Sequence, residues 1–106
     1  MNEEANRKLL EFAGFYQYGS LWTIEDEDIL LIEPPNFFHP ELGLGWLFKY
    51  LVPKLLSKGF NIHIHIFSDH TKVIVSNVNG TFQKIDKESQ VALANAIQKW
   101  LESEKK

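Results

Sequence analysis

Two histidines stand two residues apart in the segment NIHIHIF, at positions His63 and His65. Side chains two positions apart on a β-strand point to the same face, so a strand here directs both imidazoles to one side. Imidazole nitrogens are common zinc ligands, but a zinc site also needs a third donor and partners that fix the orientation of the rings. The spacing therefore allows these two side chains to supply two of the ligands of a metal site.

Further donors lie nearby in the sequence, at Asp69 and His70 in the adjoining turn and at His39 in a proline-rich segment. Together with a carboxylate, they would allow a metal-dependent hydrolase built on His63 and His65, and this stays as an alternative. A strand with one buried and one polar face already explains the alternation of isoleucine with histidine. We therefore favour a structural role for the pair, and we assign no metal ligand, no cofactor and no catalytic residue.

A run of four carboxylates forms a second candidate site, EDED, which comprises Glu25, Asp26, Glu27 and Asp28. It lacks the spaced donors and the turn glycine of a calcium-binding EF-hand loop. Between Leu9 and Phe48 the chain has no lysine or arginine, so this part of the molecule is acidic. The run is typical of a solvated hairpin tip, and it would alternatively attract a protein with a basic surface.

Two aromatic residues, Phe37 and Phe38, lie in the connector PPNFFHPE, whose prolines disfavour helix. Aromatic side chains are frequent at the centres of protein interfaces. We therefore predict that Phe37 and Phe38, together with Trp22 and the acidic run, form a protein-binding surface. The alternative is that both phenylalanines fold back onto their own domain.

Composition limits the remaining possibilities. The chain has 106 residues, 44% of them apolar, which indicates a single domain spanning residues 1–106. It has no cysteine, which excludes disulfides and thiol catalysis. Its net charge of -3 argues against nucleic-acid binding by a basic patch. No apolar segment reaches the ~20 residues that span a bilayer, and the charged start is unlike a signal peptide, so we expect a cytoplasmic protein without membrane contact.

Hydrophobic spacing predicts the elements that position these residues. Residues 2–13 have the pattern of an amphipathic helix that ends at Gly14. The segments FYQYGSLWTI and DILLIE have strand composition, with EDED between them. A second helix within ELGLGWLFKYLVPKLLSKG should be kinked by Pro53 near Lys49.

The second half predicts three strands and a helix. Phe60, Ile62, Ile64 and Ile66 should point inward, KVIVSNV should return as the partner strand, and the dipeptide Asn-Gly should turn the chain into TFQKI. A last helix should begin at a cap, Asp86, and continue to about residue 102. We therefore predict an α+β fold of order α-β-β-α-β-β-β-α. It should be an α/β/α sandwich-like domain with three helices and one mainly antiparallel sheet of four or five strands.

Several short runs carry a family resemblance: NRKLLEFAGF, PNF, WLFKYLVPKL and VALANAIQKWL. Together they resemble the phage ABA sandwich domain, which is found in small proteins of bacteriophages and prophages. The resemblance covers most of the chain and implies an α/β/α layered fold in a viral setting. It implies no activity and assigns no functional residue.

These observations lead to one main functional expectation. We expect a small phage- or prophage-encoded accessory protein that binds a host or viral protein with a basic surface, rather than an enzyme. Interference with a host defence system is one concrete version. Besides the metal-dependent hydrolase, a small-ligand-binding module with its pocket between the sheet and the central helix is the other alternative.

Overall fold

The computed structural model describes residues 3–24, 27–78 and 80–104, with the backbone alone for residues 27–29 and 104. In chain order, these residues form α1 (Glu3–Ala13), β1 (Phe15–Tyr18), β2 (Leu21–Ile24), β3 (Glu27–Leu31), α2 (Gly43–Trp46), a π-helical turn (Leu47–Leu51), α3 (Val52–Ser57), β4 (Asn61–Ile66), β5 (Thr71–Asn77), β6 (Gly80–Asp86) and α4 (Ser89–Glu104). Because α2, the π-helical turn and α3 are continuous, we call them the central helix. The α+β class and the three helices are confirmed.

The strands form two antiparallel sheets, a first sheet of order β1-β2-β3 and a second sheet of order β4-β5-β6. The prediction of one sheet with four or five strands is wrong, since the strands form two sheets of three. The number of strands differs because residues 15–24 form a hairpin rather than one strand. Tyr18 pairs with Leu21 across a two-residue turn made by Gly19 and Ser20. Gly19 has a φ of 67°, which two-residue hairpin turns require at this position. The order therefore contains one more strand before the central helix.

The second sheet has the predicted strands. β4 and β5 pair without irregularity along all six residues of β4, and β6 pairs with the other side of β5. The predicted hairpin is confirmed: Gly80 is the first residue of β6, and Asn79 lies outside the described residues. Helix α4 packs on one face of this sheet, where Val73 and Val75 are fully buried.

The opposite face of the second sheet is open. It carries His63 and His65, whose side chains are exposed. An α/β/α arrangement requires helices on both faces of a sheet. Within the described part of the chain, the second sheet is covered on one face only.

Helix α1 follows the predicted pattern. Glu3 and Glu4 lie in its first turn, where carboxylates interact favourably with the helix dipole. Leu9 and Leu10 are buried on its inner face. The helix ends at Gly14, whose φ of 100° suits a glycine and whose N–H donates to the carbonyl of Glu11 at 3.1 Å. Asn2, the first residue of the predicted helix, lies outside the described residues.

The central helix is irregular where the proline predicts a kink. Pro53 has no N–H to donate, and in an α-helix its ring would clash with the carbonyl of Lys49. The chain widens here into a π-helical turn, in which the N–H of Val52 donates to the carbonyl of Leu47, five residues earlier. The irregularity therefore lies at the predicted place and has a defined hydrogen-bond pattern.

Helix α4 begins at Ser89, two residues later than a cap at Asp86 predicts. Asp86 is the last residue of β6, and its carboxylate accepts a hydrogen bond from the N–H of Glu88 at 3.0 Å. The side of the helix that faces the core is apolar, since Leu93 and Ile97 are fully buried there.

One aromatic cluster joins the elements of the core. The ring of Trp100, on α4, packs edge-on against Phe12 of α1, with ring centroids 5.2 Å apart. It also packs edge-on against Phe60, just before β4, at 4.8 Å. Edge-to-face contacts of this kind add to the stabilisation from burial.

Candidate protein-binding surface

The outer face of the first sheet carries exposed aromatic side chains. Tyr16 lies opposite Thr23 and Tyr18 lies opposite Leu21 in the β1–β2 pairing. Residues that are directly opposite or two apart on a strand share one face, so both tyrosines lie on the same side. Tyr18 is 71% exposed, and Tyr16 is also exposed.

Strand β3 and the residue after it extend this exposed region. Leu31 pairs with Trp22 on the core-facing side of the sheet, so the preceding Leu30 faces the tyrosine side. Leu30 is exposed, and Ile32, just beyond the strand, is 83% exposed. We call Tyr16, Tyr18, Leu30 and Ile32 the aromatic face.

The opposite side of the first sheet packs on the core. Phe15 and Ile24 are buried there, and the ring of Phe15 lies edge-on to that of Tyr50 with centroids 4.9 Å apart. Trp22 is half-buried against this core. The structure therefore separates Trp22, which the sequence places on the binding surface, from the exposed side of its own sheet.

The acidic run lies at the β2–β3 hairpin. Glu25 and Asp26 lie outside the described residues, whereas Glu27 and Asp28 begin β3 with side chains that are not described. Ile24 pairs with Glu27, so β2 and β3 form a hairpin, and Glu27 and Asp28 belong to strand β3 rather than to its tip. Two residues of the acidic run, Glu27 and Asp28, therefore belong to the same sheet as the aromatic face.

Phe37 and Phe38 are part of the core, with exposed fractions of 0% and 6%. This corrects their assignment to a protein-binding surface, because a folded partner cannot contact them. Asn6 explains why the connector turns inward. Its Nδ2 donates to the carbonyl of Pro35 at 2.9 Å, and its Oδ1 accepts from the N–H of Phe37 at 2.8 Å.

His39 orders the turn that precedes the central helix. Its Nδ1 accepts hydrogen bonds from the N–H groups of Glu41 and Leu42, each at 3.1 Å. A nitrogen that accepts backbone hydrogen bonds has its lone pair directed at them, so Nδ1 is not free to bind a metal. Its ring also packs edge-on against Trp46 at 6.2 Å between centroids.

His63 and His65 lie parallel on the open face of the second sheet. Their rings are stacked with centroids 6.5 Å apart and an interplanar angle of 10°. Among the described residues, no group of three or more histidine, aspartate or glutamate side chains is arranged to hold a metal ion.

The turn after β4 contains its own ion pair. Nδ1 of His70 lies 2.7 Å from Oδ1 of Asp69. This hydrogen bond, and the charge of His70 when protonated, hold the pKa of the Asp69 carboxyl below its usual value of 3.8. The ring of Phe67 stacks on that of His70 at 4.5 Å between centroids. These contacts account for the turn without a bound ligand.

A groove separates the first sheet from the central helix, where the sequence allows a small-ligand pocket. It has a volume of ≈ 390 Å³ and is lined by Ala13, Ile24, Lys49, Tyr50, Pro53, Lys54 and Ser57. Sites for small ligands are usually enclosed clefts that bury most of the ligand. This groove is partly open to solvent rather than enclosed.

The aromatic face was not found by sequence reasoning. Two signals would have predicted it. The first is the dipeptide Gly19-Ser20, which is typical of a two-residue hairpin. The second is the alternation that follows from such a hairpin, since it places Phe15 inward and therefore Tyr16 and Tyr18 outward.

Comparison with family models, with curated proteins and with solved structures finds no match for this chain. Among the described residues, no helix is long and apolar enough to cross a membrane.

Proposed function

We propose that this protein is a non-enzymatic protein-binding module that contacts a basic partner protein through the aromatic face and the acidic run. The observation that carries the proposal is the coincidence of two features on one small sheet. Its outer side exposes two tyrosines and Leu30, with the exposed Ile32 just beyond β3, and four consecutive carboxylates stand in the sequence between Ile24 and Ile29.

The aromatic face supports the contact part of the proposal. Tyrosine offers a large contact area with few rotatable bonds, and it is enriched among the residues that dominate binding energy. The sheet beneath the tyrosines is held by buried Phe15 and Ile24. A partner would therefore meet side chains on a fixed framework, which reduces the entropy lost on binding.

The charge distribution supports a basic partner. The acidic run lies within a stretch, residues 10–47, that has no lysine or arginine. Carboxylates gathered near a contact surface accelerate encounter with a basic protein and repel acidic ones. The acidic run would thus set the rate and selectivity of association, while the aromatic face supplies contact area.

The resemblance to the phage ABA sandwich domain extends the proposal. On that basis, the protein is a phage- or prophage-encoded accessory protein that acts in the cytoplasm of the bacterial host. Interference with a host defence system is one form that such binding takes. The four runs of sequence quoted above are what supports this part.

A photo-crosslinking experiment tests the contact surface. A photoreactive amino acid is placed at Tyr18 in one sample and at Val78 in a matched control. Val78 is 99% exposed and lies on the second sheet's β5–β6 hairpin, so it is equally accessible but remote in the fold. We expect a discrete adduct from position 18 in bacterial lysate, and none of the same mass from position 78.

The crosslinked protein, once identified by mass spectrometry, allows a direct binding measurement. Tyr18→Ala should weaken binding by a large factor, since an interface tyrosine at a hot spot contributes about 2 kcal/mol or more. Neutralising all four carboxylates of the acidic run should slow association and flatten its salt dependence. Identical adducts from positions 18 and 78, or unchanged binding in both variants, would contradict the proposal.

A further inference from the structure

The free edge of β4 lacks the features that usually prevent strand pairing between molecules. Natural edge strands carry charges, prolines or bulges that discourage a second chain from pairing. β6, at the other edge of the second sheet, carries Lys84 and Asp86. β4, Asn61–Ile66, has no proline and no acidic or lysine side chain, and its pairing with β5 has no bulge.

The apolar side of β4 is incompletely covered by its own domain. Ile62 and Ile64 are half-buried, and Ile66 is 73% exposed, although the sequence predicts that all three point into the core. Phe67, the next residue, is also exposed. On the adjacent strand β5, Val73 is fully buried. Apolar surface therefore accumulates along the unpaired edge.

The direction of the free backbone groups follows from one hydrogen bond. The N–H of Phe67 donates to the carbonyl of His70 at 2.8 Å, so the backbone of Phe67 points toward the β5 side. In an antiparallel pair, successive residues point their N–H and C=O groups alternately toward the partner strand and away from it. The groups of Ile62, Ile64 and Ile66 therefore point to the free edge.

The sequence of β4 is symmetric about the middle of these three residues. The segment IHIHI reads the same in both directions from Ile64. An antiparallel pairing of two identical strands about a two-fold axis at Ile64 places Ile62 opposite Ile66 of the second copy. Ile64 then faces its own equivalent, so all outward-pointing groups meet as hydrogen-bonded pairs.

We propose that two copies of this chain associate through β4, in antiparallel register about Ile64, to form one continuous six-stranded sheet. The outward backbone groups of Ile62, Ile64 and Ile66 become hydrogen-bonded to the second copy. Ile66 packs beside Ile62 of that copy, which covers apolar surface that one domain leaves open. β4 carries no carboxylate or lysine, so the pairing of two copies brings no two side chains of these kinds together.

The oligomeric state of the full chain provides the first test. Sedimentation equilibrium at about 100 µM, above the micromolar Kd expected of a small interface, should give twice the 12.3 kDa of one chain. Ile66→Lys should give a monomer, because it places a charge against the apolar edge of the second copy. Val78→Lys adds the same charge at an exposed site on the β5–β6 hairpin, outside β4, and should stay dimeric.

Single cysteines provide a second test that also reads the register. The chain has no cysteine, so any disulfide must form between copies. In the proposed register Ile64→Cys faces itself at about 5.5 Å between Cα atoms, which suits a disulfide. Ile62→Cys faces Ile66 instead, and its own equivalent is four residues away. Under mild oxidation, Ile64→Cys should become a covalent dimer and Ile62→Cys should not.

These outcomes separate clearly. A monomeric wild type, a dimer that persists in Ile66→Lys, or equal crosslinking of the two cysteine variants would overturn the proposal. Circular dichroism establishes that each variant is folded. If Ile66→Lys fails to fold, the cysteine pair decides the question alone.

Discussion

Two glycines of the central helix should respond in opposite ways to the same substitution. A Cβ built on Gly43 would lie 2.4 Å from the carbonyl oxygen and 2.9 Å from the carbonyl carbon of Phe37. A Cβ built on Gly45 meets nothing within 4 Å. Both positions lie in α2, so alanine improves intrinsic helix propensity at each of them. Only the surroundings differ.

The magnitudes follow from this difference. At the exposed Gly45, alanine should stabilise the fold by about 0.5–1 kcal/mol, the usual difference between glycine and alanine in a helix. At Gly43 the gain in helix propensity is outweighed, because overpacking of this kind typically costs about 1–3 kcal/mol or more. Phe37 cannot yield easily, since it is fully buried and its N–H is bound by Asn6. We expect Gly43→Ala to lose about 1–3 kcal/mol net.

Urea unfolding followed by circular dichroism measures both changes, because a domain of this size usually unfolds in one step. The midpoint should fall for Gly43→Ala and rise for Gly45→Ala, with similar slopes. If both midpoints move in the same direction by similar amounts, the close approach of α2 to the Phe37 carbonyl is not a feature of the folded protein.

Three further predictions concern other parts of the fold. Asn6→Ala should lower the free energy of unfolding by about 1–3 kcal/mol, because it removes two hydrogen bonds from a partly buried connector; an unchanged urea midpoint would contradict this role. Leu51→Ala should cost about 2–5 kcal/mol because Leu51 is fully buried, whereas the exposed Leu56 offers a matched control whose replacement costs far less. Because the pKa of the Asp69 carboxyl is lowered in the folded protein, its ionised form stabilises the fold at pH values above 3.8, the usual pKa. This stabilisation is lost as the pH falls through the lower pKa of the folded protein. In an NMR titration, His70→Gln should return the Asp69 carboxyl toward 3.8, and an unchanged titration would exclude the ion pair as the cause.

Local sequence patterns predicted the elements whose contacts are mostly local. The spacing of Leu93 and Ile97 identifies α4, and the alternation in β4 and β5 identifies the second sheet. The aromatic run around Gly19 has the composition of one continuous strand, so the sequence predicts one strand too few before the central helix. A two-residue turn occupies only two positions, so it interrupts a run of strong strand-forming residues very little and is difficult to recognise in the sequence.

The burial of Phe37 and Phe38 could not be predicted from the sequence, for a physical reason. Whether Phe37 is exposed depends on Asn6, a polar residue 31 positions away that holds the connector against α1. Such long-range pairing leaves no periodic signal in the chain. The half-buried position of Trp22 on the core-facing side has a related cause, since the side of a strand that faces the core depends on how the whole sheet docks.

The π-helical turn has a consequence for how the leucines of the central helix are aligned. Leu47, Leu51 and Leu55 recur every four residues and all three are fully buried. In a uniform α-helix, side chains four apart drift around the axis by about 40° per step, so such a row would rotate out of the core. A wider turn holds more residues and shifts the row in the opposite direction. The π-helical turn that accommodates Pro53 therefore offsets this rotation. It keeps Leu47, Leu51 and Leu55 on the side of the helix that faces the core.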